Sequence, residues 1–209
     1  MKKSLILDID NTLISSKRIY SIPIIIDKEK DFILNVNNEL FLVTKRLSLN
    51  KFLLECSEYF DIYCYSSASE NYVNSIINQL EKDINKKIFI KCFSVADCDF
   101  TVFPSSQTCD MCKSISKLGF DIKNTIILDD RPEVYRSDFH NVIFIRNPNS
   151  EDDDIFDKIL NLLKILLNEE DDRYKIQEYN KSNYLEIYND YVIKTKFEFY
   201  PDVLKIFLK

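Results

Sequence analysis

Near the start of the sequence, Leu5-Ile6-Leu7-Asp8-Ile9-Asp10-Asn11-Thr12 runs from three apolar residues straight into two carboxylates and a hydroxyl. The apolar run reads as a buried strand, and its end is a costly place for charge. Two carboxylates within three residues repel each other unless a cation or a reacting group offsets the crowding. Farther on, Ile126-Ile127-Leu128 ends the same way, in Asp129-Asp130. If the two strands are parallel neighbours, four carboxylates converge on one rim of one sheet. That rim reads as a magnesium-dependent phosphoryl-transfer site.

Outward from these runs, apolar stretches alternate with amphipathic ones, which predicts an α/β fold with a parallel sheet flanked by helices. The strands are expected at Leu5 to Leu7, Ile62 to Tyr65, Ile88 to Ile90, Ile126 to Leu128 and Val142 to Ile145. Leu49, Phe52, Leu53, Cys56, Tyr59 and Phe60 recur at helical spacing, as do Tyr72, Val73, Ile76, Ile77, Leu80 and Ile84. Both stripes are read as core. The stretch 22–45 breaks the alternation with Ile24 to Ile26, Phe32 to Leu34 and Leu40 to Val43, separated by charged turns, and predicts a small antiparallel β insert. An apolar helix is expected over Ile155 to Leu167, after the acidic Ser150 to Asp154. The expected division is one domain over 1–168 and a helical C-terminal appendage over 169–209.

Composition excludes several classes. With 209 residues and 45% hydrophobic content the chain fills a core, while a net charge of −6 argues against a nucleic-acid backbone reader. Phosphate-cradling loops of the P-loop and dinucleotide types need several glycines, and the only glycine is Gly119, expected to close a helix in the left-handed conformation. Asp8 interrupts the first apolar stretch too early for a secretory segment, and no run is long enough to span a bilayer. An intracellular chain, nuclear or cytoplasmic, is expected, with its six cysteines as thiols. A zinc site on Cys92, Cys98, Cys109 and Cys112 remains open, but the first spacing is looser than a usual zinc knuckle. The lone histidine, His140, is read as a surface residue at a strand entry.

The chemistry follows from residue type and order. Asp8, nearest the strand end, is the expected nucleophile toward a phosphoryl group. Asp10, two residues on, is the expected acid and base. Attack on a phosphate dianion needs its charge neutralised, so Asp8, the Asp10 carbonyl, Asp129 and Asp130 are the expected Mg²⁺ ligands. Thr12 and Ser67 bring hydroxyls for substrate oxygens. Ser67 lies in Ser66-Ser67-Ala68-Ser69, where a strand passes into a helix and backbone N–H groups are free. Lys113, expected on a short helix, is read as an ammonium facing the phosphoryl group and Asp8.

Taken in order, Asp8 to Leu13, Lys45-Arg46, Ser67-Ala68-Ser69, Lys113 with Ser116 to Gly119, and Ile127 to Pro132 resemble the haloacid dehalogenase (HAD) superfamily. More narrowly, they are similar to the C-terminal-domain phosphatases and NLI-interacting-factor-like phosphatases. The resemblance runs from about Lys3 to about Leu167. It implies a Rossmann-like core, Mg²⁺ dependence, an aspartyl-phosphate on Asp8, and dephosphorylation of phosphoserine or phosphothreonine in a protein, such as the RNA polymerase II tail. It also implies that the β insert borders the substrate groove. Departures are Leu47 in place of a usual proline, Ser67 in place of a common threonine, and no arginine-containing pattern between Cys92 and Cys112. The alternatives are a catalytically silent phosphopeptide-binding scaffold, or a HAD phosphatase for nucleic-acid ends or small metabolites.

Overall fold

The computed structural model describes residues 2–21, 26–27, 29–103, 108–146, 154–186 and 188–189, with the side chains of 101–103 and 108–110 left aside. In chain order the elements are β1 (Lys3–Leu7), β2 (Ile14–Ile19), β3 (Asp31–Val36), β4 (Glu39–Lys45), α1 (Leu49–Tyr59), β5 (Phe60–Tyr65), α2 (Glu70–Ile84), β6 (Phe89–Phe93), β7 (Asp99–Phe103), β8 (Thr108–Cys112), β9 (Thr125–Asp129), β10 (Val142–Phe144), α3 (Ile155–Leu166) and α4 (Arg173–Asn183). Five strands form a parallel sheet in the order β10-β9-β1-β5-β6. The central strand is the apolar run of β1, whose Leu5, Ile6 and Leu7 are fully buried, as expected of a parallel strand covered on both faces.

Side-chain alternation along β1 divides the core. Leu5 and Leu7 join the apolar stripes of α1, α2 and α3, whereas Ile6 joins Tyr65, Ile115, Ile127, Tyr135, Phe144 and Tyr184 on the other face. One face is therefore helical, and the other is closed by turns, short 3-10 segments and the tail. The chain moves from β1 to β5 and β6 on one side, while β9 and β10 lie on the other, so strand order reverses between β1 and β9. In open α/β sheets a ligand crevice opens at such a switch, beyond the carboxyl ends of the strands.

The insert is a three-stranded antiparallel sheet in the order β2-β4-β3, and its first strand is earlier than expected. It begins at Ile14 rather than near Ile24; residues 22–25 lie outside the described residues. β2 reads Ile-Ser-Ser-Lys-Arg-Ile, an edge strand with a largely polar surface, so it carries little hydrophobic signal. Phe60 belongs to β5, not to α1, because the helix passes into the strand without a loop. A β7–β8 hairpin stands where no element was expected. Gly119 has the expected left-handed backbone (φ +83°), but it closes a turn over 115–119, its N–H bonded to Ser116 O at 3.1 Å, not a helix.

The tail docks on the sheet edge. Lys3 Nζ meets the buried Asp172 at 2.6 Å, and the buried Asn180 acts as a strand substitute beside β10. Its Oδ1 accepts from Phe144 N–H at 3.0 Å and its Nδ2 donates to Val142 O at 2.7 Å. Asn180→Ala strands one donor and one acceptor, each worth about 1–3 kcal/mol when buried. The expected outcome is a melting temperature lower by about 5–10 °C, read by calorimetry as one transition. Among the described residues no helix is long and apolar enough to cross a membrane.

Candidate active site

Asp8 extends the sheet by one residue, its N–H donating to Leu128 O at 3.0 Å, which sets it beside Asp129 at the switch between β1 and β9. A tight loop follows. Ile9 O accepts from the N–H groups of Thr12, Leu13 and Ile14, and Asn11 takes a left-handed conformation that asparagine tolerates (φ 62°). The buried Arg46 guanidinium fastens this loop: Nε donates to Thr12 O at 3.0 Å, and one terminal nitrogen donates to Asn11 O and Arg146 O. Arg46, the second residue of the Lys-Arg pair, thus braces this loop from beneath.

Asp8, Asp129 and Asp130 offer oxygens that all lie within 4.8 Å of one another. Lys113 Nζ stands 2.7 Å from Asp8 Oδ1 and 2.7 Å from Asp129 Oδ2, under the rings of Tyr65 and Tyr135. It follows directly on β8, its N–H held by Val134 O at 2.8 Å, so the expected short helix is absent and a strand end delivers the ammonium. Asp129 Oδ1 accepts from Arg131 N–H at 2.7 Å. Asp8 Oδ2 is left without a hydrogen-bond partner among the described residues.

Burial, then the charge of Asp8, raises Asp129 to about 7 and Asp130 to about 6. Burial also raises Asp10, opposed by hydrogen bonds from Tyr72 and Ser16. For Lys113 burial acts downward, but Asp129 and Asp8 outweigh it and hold the ammonium well above its ordinary value. One ammonium thus faces a carboxylate cluster that exceeds it in charge. An all-oxygen set of this kind fits a hard divalent cation.

These groups line a cavity of about 140 Å³ with Asp10, Asn11, Ser67, Met111 and Arg131. That is small beside the roughly 300–1,000 Å³ of sites that enclose whole ligands. A second, open cavity of about 520 Å³ adjoins it, and Asp10 lines both. Its walls are Ser16, Val36, Asn37, Glu39 and Phe41 of the insert, with Ala68, Ser69 and Tyr72 of the core. Among the described lining residues two are acidic, Asp10 and Glu39, and Glu39 is paired with Arg18 of β2 at 2.9 Å.

The structure therefore brings together Asp8, Asp10, Ser67, Lys113, Asp129 and Asp130. Ser66 is already engaged, its Oγ accepting from Ala68 N–H at 3.1 Å, which leaves Ser67 as the exposed hydroxyl of the pair. Thr12 differs from expectation: its fully buried hydroxyl accepts from Asp130 N–H at 3.0 Å and lines neither cavity. It positions the Asp130 backbone because the loop turns its side chain inward. Tyr72, read as core, lines the open cavity and donates to Asp10 Oδ1 at 2.7 Å. As for zinc, the Cys109 side chain lies outside the described residues. Among the described residues no cysteine joins a metal-holding cluster, and Cys92 faces Cys64 across β5 and β6.

Comparison with known proteins gives a family match. Residues 3–173 match the model of the NLI interacting factor-like phosphatase family. Nuclear envelope morphology protein 1 of Schizosaccharomyces pombe is 30% identical over 165 residues, covering 79% of this chain and 33% of that protein. CTD nuclear envelope phosphatase 1 of Xenopus laevis is 29% identical over 171 residues, covering 79% of this chain and 66% of that one. Among solved structures, the fission yeast RNA polymerase II CTD phosphatase Fcp1, bound to beryllium fluoride, shares the fold with a TM-score of 0.52 at 18% identity, over 87% of this chain and 56% of Fcp1. The chain thus spans about a third of the first relative and about half of Fcp1.

Proposed function

This chain belongs to the NLI interacting factor-like phosphatase family, and from that premise we propose that it is a Mg²⁺-dependent phosphoprotein phosphatase acting on phosphoserine or phosphothreonine through an aspartyl-phosphate. The carrying observation is the cluster of Asp8, Asp129 and Asp130 around one cavity with the Lys113 ammonium at its floor. Asp8, Asp129 and Asp130 would hold the ion, with the Asp10 main-chain carbonyl as a further ligand. Bound there, Mg²⁺ supplies charge neutralisation for an anion attacking an anion.

The residues divide the work as follows. Lys113 holds Asp8 Oδ1, so Asp8 Oδ2 is the oxygen that attacks phosphorus. As the Oδ2–P bond forms, the bond from phosphorus to the seryl oxygen breaks, and Asp10 gives that oxygen its proton. Asp10 then takes a proton from a water that attacks the same phosphorus, releasing inorganic phosphate and restoring Asp8. Ser67 and Lys113 hold the phosphoryl oxygens throughout.

The small inner cavity suits a phosphoryl group, and the open groove beside it suits the chain that carries it. The open groove, with Val36, Phe41 and Tyr72 among its described walls, favours a peptide, of which the RNA polymerase II tail is one example. An intracellular address, nuclear or cytoplasmic, accords with relatives named for the nuclear envelope and with the free thiols.

Phosphate release should be seen with phosphoserine peptides and not with nucleotides or sugar phosphates, and EDTA should abolish it. Metal affinity should also depend on pH with a definite sign. A proton on Asp129 (about 7) or Asp130 (about 6) must leave before its oxygen ligates, so affinity falls as pH drops through that window. Calorimetric titration should give Mg²⁺ binding at least about tenfold weaker at about pH 5.5 than at about pH 8. Phosphopeptide binding without turnover under any divalent cation would replace this reading with a silent scaffold.

A further inference from the structure

Asp10 is asked to deliver a proton to one oxygen and later to take one from another, so its carboxyl must keep one oxygen in place through both steps. Two hydroxyls act on the other oxygen. Tyr72 Oη, in the first turn of α2, donates to Asp10 Oδ1 at 2.7 Å, and Ser16 Oγ, on β2, donates to the same atom at 2.9 Å. We infer that Tyr72, with Ser16 as the second donor, is the positioning residue of the acid/base group, holding Oδ1 so that Oδ2 carries the transferred proton; this rests on the phosphatase reading above.

The geometry supports a division of labour between the two oxygens. A protonated carboxyl has one O–H and keeps acceptor capacity on its other oxygen. An oxygen that already accepts two hydrogen bonds is the acceptor, and the proton belongs to its partner. Both donors are held in place. Tyr72 is 7% exposed, its ring set edge-on against Phe41 of β4 with centroids 5.5 Å apart, while the exposed Ser16 is fixed by its backbone pairing with Val43 of β4. The two hydroxyls come from different parts of the fold, one from the core and one from the insert, and meet on a single atom. The Tyr72 ring is also a wall of the open groove, so a peptide lying there touches the residue that holds the acid.

The test separates positioning from simple support through the leaving group. Seryl oxygen needs a proton to depart, whereas p-nitrophenolate leaves as a stable anion. Because kcat/KM reports the step that forms the aspartyl-phosphate, only the first substrate should register a misplaced acid. For Tyr72→Phe, which keeps the ring, kcat/KM on a phosphoserine peptide should fall about 30-fold and on p-nitrophenyl phosphate less than about threefold, a share of the roughly 10²–10⁴ that general acid catalysis supplies. The peptide KM should stay within about twofold, since groove and ring are unchanged. Ser16→Ala, at an exposed contact that folding does not depend on, should give a smaller loss with the same substrate bias, and the double variant a larger one. Equal losses on both substrates, or an unchanged peptide rate, would overturn the positioning role. A wild-type protein inactive on both substrates would instead overturn the phosphatase reading, and the positioning role with it.

Discussion

Asp8→Asn is expected to lower phosphate release by at least about 10⁴-fold, in line with the loss seen when a covalent nucleophile is removed and only binding and electrostatic stabilisation remain. The amide nitrogen offers no anionic oxygen to phosphorus, and the remaining Asp10 has nothing to protonate against. The same change should leave the fold intact. Asn is isosteric with Asp, and Lys113 keeps its second partner, Asp129, at 2.7 Å. Removing the Asp8 charge also withdraws one of the causes that raise Asp129 and Asp130, which eases the crowding of the cluster in the metal-free protein. Activity should therefore vanish with the melting temperature held or slightly raised. Parallel phosphate-release and thermal-denaturation measurements check both halves. Residual turnover above about one part in a hundred would remove Asp8 from the nucleophile's role.

That the two acidic strand ends meet was legible in the sequence, and the reason is physical. Leu5 to Leu7 and Ile126 to Leu128 are apolar at every position, a pattern that only strands buried on both faces sustain. A carboxylate placed after such a run needs a partner, so the convergence of the acids could be read from the misfit. The same reasoning failed wherever one residue type serves two ends. Tyr72 sits in an apolar stripe at helical spacing, and nothing in that spacing distinguishes a ring that fills the core from one whose hydroxyl reaches Asp10. Thr12 stands next to the site in sequence but is turned inward by the Asn11 reversal, which pattern alone does not reveal. β2 escapes the pattern because an edge strand rich in serine and basic residues looks like a loop. Lys113 reaches the cavity from the end of a strand rather than from a helix, and residues 108–112 carry no periodicity that separates a hairpin strand from a helix.

Lys113→Met should be the most damaging change to stability, and its cost should depend on pH. The methionine matches the lysine's length but leaves Asp8 and Asp129 facing each other in a buried site, where breaking an ion pair by removing one partner costs about 3–5 kcal/mol. Against a total stability of about 5–15 kcal/mol that is a large share. A chain of this size loses roughly 2–4 °C per kcal/mol, so the melting temperature should drop by about 10–15 °C near pH 8. Asp129 already sits raised, at about 7, with the ammonium beside it; without it, Asp129 rises further. A carboxyl raised in the folded state penalises folding above its folded pKa, and the penalty fades as pH falls through that value and the group is protonated. The deficit against wild type should therefore be greatest near pH 8 and much smaller near pH 5, and Mg²⁺ should restore part of it at the higher pH by replacing the lost positive charge. Lys117→Met supplies the contrast: its pair with Asp99 is solvent-exposed, with side chains 67% and 38% accessible, and is worth less than about 1 kcal/mol at any pH. A Lys113→Met deficit that stays constant from pH 5 to pH 8 would mean that packing, not charge, is what the buried ammonium contributes.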